Sequence, residues 1–135
     1  PVYIYETEEK LLEDPWLNRS KAWAEPVSVK ADILLQNHQI LELAGFSIEV
    51  LHTPGHTAGS CCYYLADEKI LLCGDTLFHE SYGRTDLQTG SYTEILNSLN
   101  NCLFKLPDDV KCFPGHMDAT TIGHEKSCNP AVADN

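Results

Sequence analysis

Apolar and polar positions follow two rhythms along this chain. Phe46-Ser47-Ile48-Glu49-Val50-Leu51 alternates with period two, the spacing of a strand with one buried face. Ile33-Leu34-Leu35 and Ile40-Leu41-Glu42-Leu43 precede it as shorter strand candidates, with turns at Asn37-His38 and Ala44-Gly45. Ser60 to Leu65 and Lys69 to Cys73 predict a hairpin about the polar turn Ala66-Asp67-Glu68. From Ser91 the rhythm changes. Tyr92, Ile95, Leu96, Leu99, Cys102, Leu103 and Leu106 recur at helical spacing, predicting a helix of about four turns that Pro107-Asp108-Asp109 stops. Val110 to Phe113 predicts a last strand, and the tail after Gly123 reads as polar surface.

The N-terminal stretch is less regular. Val2-Tyr3-Ile4-Tyr5 is a short β-branched and aromatic strand candidate. Thr7 before Glu8-Glu9, and Asp14 before Pro15, carry helix-start signals, predicting two short helices across residues 8 to 24 with Trp16 and Trp23 as apolar anchors. Pro26 ends that region.

Composition narrows the class. With 135 residues, 43% hydrophobic and 21% charged, the chain has the make-up of one ordinary globular domain, which excludes a disordered, collagen-like or repeat protein. Its apolar runs, such as Ile70-Leu71-Leu72-Cys73, fall far short of the ~18 residues that a spanning helix needs, and no basic-then-apolar leader opens it. A cytoplasmic protein with no membrane partner is expected. Nine Lys and Arg against twenty Asp and Glu give a formal charge of -11, a field that repels phosphate backbones and argues against nucleic acid.

Six cysteines are enough for three disulfides, but their placement argues for reduced thiols. Cys73, Cys102 and Cys112 fall on apolar faces, where a thiol serves as a small hydrophobe. Cys61 and Cys62 are adjacent in a predicted strand and so point to opposite faces.

The informative feature is a local pattern that occurs three times: an apolar strand, then glycine, then a metal-ligand type of residue. The instances are Gly55-His56, Gly74-Asp75 and Gly115-His116. Glycine lets the chain turn sharply as it leaves a sheet and presents the next side chain at the rim. Two imidazoles and a carboxylate at neighbouring strand ends suit a borderline divalent ion such as zinc, or iron or manganese. His38, His52, His79 and His124 lack the pattern and read as structural imidazoles. Nucleophilic alternatives are thinner. Ser60 follows Gly59 without a G-x-S-x-G turn, and the apolar neighbours of Cys61 would raise its thiol pKa.

Together the strings Leu51-His52-Thr53-Pro54-Gly55-His56-Thr57-Ala58-Gly59-Ser60, Cys73-Gly74-Asp75-Thr76-Leu77-Phe78 and Phe113-Pro114-Gly115-His116 resemble the later half of a metallo-β-lactamase-superfamily hydrolase. Gly83-Arg84-Thr85-Asp86-Leu87 and the ending Thr120 to Lys126 with Asn129-Pro130 narrow the resemblance to the glyoxalase II-like branch. It implies an α/β (α+β) fold, half of an αββα sandwich with a mostly antiparallel, mixed sheet and flanking helices. It also implies a site for two divalent metal ions, zinc in the first place, with His56 on one ion, His116 on the other and Asp75 bridging them. The implied activity is thioester hydrolysis of the hydroxyacylglutathione type by a metal-bridging hydroxide, with Asp75 as the catalytic carboxylate and a small-molecule thioester as substrate. The same superfamily offers an iron-dependent persulfide dioxygenase as the alternative, and an inactive assembly or binding module is a third reading.

One departure stands out. The family's H-x-H-x-D-H motif has no match, so four ligand positions are absent from residues 1–135. The expectation is therefore a C-terminal portion of the domain, inactive alone, that self-associates or pairs with a separate N-terminal half. Arg84 with Asp86 is expected to form a structural ion pair in preference to a substrate contact. Thr120 and Thr121 are expected either to hold backbone near the metal or to form a plain surface turn.

Overall fold

Six strands hydrogen-bond into one mixed sheet in the computed structural model, which describes residues 1–134. In chain order they are β3 (Ile40–Leu43), β4 (Phe46–His52), β5 (Cys61–Leu65), β6 (Ile70–Gly74), β9 (Lys111–Pro114) and β10 (Thr120–Thr121). Across the sheet the order is β10-β9-β6-β5-β4-β3. Every pairing is antiparallel except β6 with β9, which run parallel. A parallel pair needs a crossover, and here it contains the two-strand ribbon β7 (Leu77–Phe78) and β8 (Ser81–Tyr82), then helix α3 (Tyr92–Asn101). One consequence decides where the site lies. Two antiparallel steps from β4 to β6 and one parallel step to β9 leave β4, β6 and β9 pointing the same way, so their C-terminal ends share one rim.

A second, two-stranded parallel sheet joins β1 (Tyr3–Tyr5) to β2 (Ile33–Leu35), with helices α1 (Glu9–Glu13) and α2 (Ser20–Trp23) between them. Helices α4 (Ile122–Cys128) and α5 (Pro130–Ala133) end the described chain. The result is the mixed α+β architecture expected.

The period-two pattern sorts the two faces of the large sheet. Leu51, Cys62, Leu71, Cys73 and Cys112 face α3, α4 and α5 and pack with Ile95, Leu99, Leu103, Ile122 and Ala131 in the main core. On the opposite face Val50 packs with Tyr5 and Leu35 of the small sheet. That cover runs out. Val50, Tyr63, Leu72 and Phe113 form one row across the sheet, and exposure rises along it from 0% at Val50 to 44% and 43% at Leu72 and Phe113.

Several local expectations need correction. Trp16 and Trp23 are not anchors; they are 65% and 79% exposed, because the helical segments there are too short to turn an apolar face onto the sheet. Thr7 makes no N-cap, and its hydroxyl donates to the Ala58 carbonyl. The long helix stops at Asn101 and continues as a 3-10 turn, Leu103–Lys105, which buries Leu103 and Phe104. The tail is not mere surface. Thr121 caps α4, Asn129 with Pro130 opens α5, and Ile122, Glu125, Asn129 and Ala131 are buried. Thr120 is buried too, so the pair Thr120-Thr121 is a structural element at the start of α4 and neither of the two roles expected for it.

Candidate metal centre

The three glycine-led residues converge on the shared rim. His116 Nδ1 lies 2.8 Å from Asp75 Oδ1, and His56 Nε2 lies 3.5 Å from Asp75 Oδ2. Asp75 thus stands between the imidazoles and turns one oxygen to each. The glycines serve two different needs. Gly55 (φ +143°) and Gly74 (φ +48°) take backbone angles that side chains rarely adopt. Gly115 is there for closeness, since a Cβ at that position would lie 2.6 Å from Asp75 Oδ1.

Each ligand-type residue is braced from outside the rim. His56 Nδ1 donates to the Arg84 carbonyl at 2.8 Å, which fixes the ring and turns Nε2 toward Asp75. The loop behind it is gripped by one face of α3. Ser91 N–H donates to the Gly55 carbonyl at 2.8 Å, the Ser98 hydroxyl donates to the Pro54 carbonyl at 2.7 Å, and Ile95 closes against Gly55. On its other side Glu8 accepts from the Thr57 hydroxyl at 2.5 Å and the Gly59 N–H at 2.8 Å. Beneath, the buried hydroxyls of Thr53 and Thr76 meet at 3.1 Å, tying the exit of β4 to the turn after β6. The Gly115 N–H donates to the Gly74 carbonyl at 2.7 Å, which locks the His116 turn beside Asp75.

A cleft of about 290 Å³ opens over these residues, walled by Phe78, Tyr82, Gly83 and Met117. Phe78 meets the His116 ring edge-on, 5.7 Å between centroids. Arg84 and Asp86 form a two-pronged ion pair (2.6 and 2.7 Å) that holds the Asp86 carboxyl down to about 2, and its backbone carbonyl is what Arg84 gives to the site. His52 stacks on Tyr5 and bonds the Ala58 carbonyl, while His38 bonds Glu49; both are structural. The six cysteines are unpaired thiols, and burial pushes Cys62 up to about 12 and raises Cys61.

With the geometry in place, comparison with known proteins adds a family. A family model described as "Metallo-beta-lactamase superfamily" matches residues 1–116. The chain belongs to the metallo-β-lactamase superfamily. Within that superfamily it is 42% identical over 95 residues to "Hydroxyacylglutathione hydrolase GloC" of Haemophilus influenzae, covering 70% of this chain and 45% of that protein. Among solved structures it is similar to BLEG-1, described as a B3 metallo-β-lactamase (43% identity, TM-score 0.89), and to TTHA1623 in a di-iron-bound form (30%, TM-score 0.83). Each of these covers 96% of this chain and 64% of the other. The chain therefore spans about half to two thirds of the length of its relatives. Members of the superfamily bind divalent metals, and one of these neighbours holds two irons. No helix among the described residues is long and apolar enough to cross a membrane.

Proposed function

We propose that residues His56, Asp75 and His116 are one half of the metal centre of a thioester hydrolase acting on a hydroxyacylglutathione-type substrate. The observation that carries this reading is Asp75 between two imidazoles, one oxygen toward each at 2.8 and 3.5 Å, beside an open cleft. The donor set fits the group. Two neutral imidazoles and a carboxylate suit zinc, iron or manganese, and with Nδ1 bonded to the Arg84 carbonyl the His56 ring offers its second nitrogen to an ion. His56 would hold one ion, His116 the other, and Asp75 both. When bound, such ions supply an activated water near neutral pH and a Lewis acid for the carbonyl oxygen.

The protein's own contribution is position. The Arg84 carbonyl fixes the His56 ring, as partners behind metal ligands do. Phe78, Tyr82 and Met117 give the open cleft apolar walls for the acyl part. A second cavity, of about 260 Å³, borders the same loop at Asp86 and Leu87 and is also lined by Trp16 and Arg19.

Three donors do not complete a two-metal site, so hydrolysis is assigned to the protein at the full length of its relatives. The test is hydrolysis of a hydroxyacylglutathione thioester by this chain and by a form extended N-terminally to that length. Activity in the extended form alone supports the proposal, and inactivity of both contradicts it. A β-lactam belongs in the same assay because of the likeness to BLEG-1. Oxygen uptake with a persulfide, and iron in the purified protein, would instead favour the dioxygenase reading.

A further inference from the structure

We infer that a second metal site lies away from the cleft, where the β7–β8 turn meets α4, with Glu80, His124 and Cys128 as its ligands. His124 and Cys128 are four residues apart on α4, so both project from one helix face. Glu80 reaches that face from the turn. Its Oε1 lies 3.0 Å from His124 Nε2 and 3.8 Å from His79 Nε2. The donor atoms of Glu80, His124 and Cys128 all fall within 4.8 Å of one another. The imidazole of His79 stacks on that of His124, 5.1 Å between centroids and 7° between planes, so it backs the His124 ring and is not a fourth donor.

The surroundings prepare this cluster. Glu125 is fully buried and already accepts from the Glu80 N–H, the Thr120 hydroxyl and the Asn129 amide, so its oxygens are not free to ligate. It also lies 3.8 Å from His79 Nδ1, beside the ring that stacks on His124. Glu80 itself has φ +52°, a conformation that two-residue hairpin turns usually give to Gly or Asn. The overall charge of -11 favours cations at any such site.

An imidazole, a thiolate and a carboxylate select a zinc-class divalent ion over calcium or magnesium, with solvent filling the fourth position. Binding replaces the Cys128 thiol proton, which leaves to solvent, with a metal–sulfur bond. The ion would clip the β7–β8 ribbon to α4. That ribbon carries Phe78, packed on His116, and Tyr82, a wall of the cleft.

Cobalt(II) separates the two sites spectroscopically, since His56, Asp75 and His116 offer no sulfur. Titrating cobalt into the metal-free protein should produce near-ultraviolet sulfur-to-cobalt charge-transfer absorption. The absorption should be lost in Cys128→Ser and in His124→Ala, and kept in Asp75→Ala, with unchanged circular dichroism confirming that each variant folds. Zinc added first should block it, and should also protect Cys128 from alkylation in the wild type. Absence of the band in the wild type, or its survival in Cys128→Ser, would overturn the proposal. Neither result bears on the cleft, so failure here and failure of the hydrolase reading remain distinguishable.

Discussion

His56 and Arg84 are joined through a side chain and a backbone: the imidazole Nδ1 donates to the Arg84 carbonyl at 2.8 Å, and Nε2 faces Asp75 Oδ2 at 3.5 Å. The protein alone thereby fixes the orientation of the ring toward Asp75. The grip depends on the loop behind it, where the Ser98 hydroxyl holds the Pro54 carbonyl at 2.7 Å. Ser98→Ala should lower stability by about 1 kcal/mol, the usual net worth of one such bond, and weaken metal binding in the same variant. Denaturant midpoints and a zinc isotherm check the two parts separately; an unchanged isotherm would show that α3 does not position His56.

Gly115 was expected to supply a sharp turn, and it supplies room. A methyl group there would meet Asp75 Oδ1 at 2.6 Å, so Gly115→Ala should push the carboxylate out of line with little loss of fold. Metal affinity should fall about 10-fold or more, the range seen when support behind a ligand is disturbed. Equal affinity in variant and wild type would mean that Asp75 is free to move.

Glu125 is buried and holds the Glu80 N–H, the Thr120 hydroxyl and the Asn129 amide. Glu125→Ala strands those donors and should destabilise the chain by about 3 kcal/mol, with loss of the α4–ribbon contact. Urea unfolding followed by circular dichroism measures it. A cost under about 1 kcal/mol would mean that water replaces the carboxylate there.

Cys62 gives a pH dependence with a definite sign. Burial raises its thiol in the folded chain to about 12, above the ~8.5 of an unfolded cysteine. Below about pH 8.5 both states hold the proton, so stability is intact. Between about pH 8.5 and about 12 only the unfolded chain releases it, and stability falls as pH rises. Unfolding free energy measured across that window should drop in the wild type and drop less steeply in Cys62→Ala.

Leu72 and Phe113 end a row of side chains that begins buried at Val50. Apolar surface of this kind favours association. Sedimentation at micromolar concentration should find a species heavier than 15.1 kDa, and Leu72→Lys with Phe113→Lys should return it to one chain. A monodisperse wild-type monomer would contradict the pairing expected from the sequence.

Much of the frame was legible because period is local. Alternation at Phe46 to Leu51 and the α3 repeat each depend on a few neighbouring residues; the strand forms where expected, and the helix begins where expected but ends at Asn101. The three glycine-led residues were legible as a set, and the structure brings them onto one rim. What escaped is what the topology supplies. The bond from His56 to Arg84 joins residues 28 apart, and the Thr53–Thr76 hydroxyl pair spans 23. His79 and His124 each look like an isolated surface imidazole until α4 and the β7–β8 turn are docked, although the four-residue step from His124 to Cys128 was visible. Trp16 and Trp23 misled for the opposite reason, since large apolar side chains need a long enough element to deliver them to a core.

The most direct test of the metal centre is a zinc-binding isotherm of the wild-type chain set beside that of Asp75→Ala, with Cys128→Ser run to account for the site on α4. Loss of one class of sites in Asp75→Ala that Cys128→Ser retains is the predicted outcome. Zinc uptake that does not change when Asp75 is removed would contradict the centre and, with it, the hydrolase built upon it.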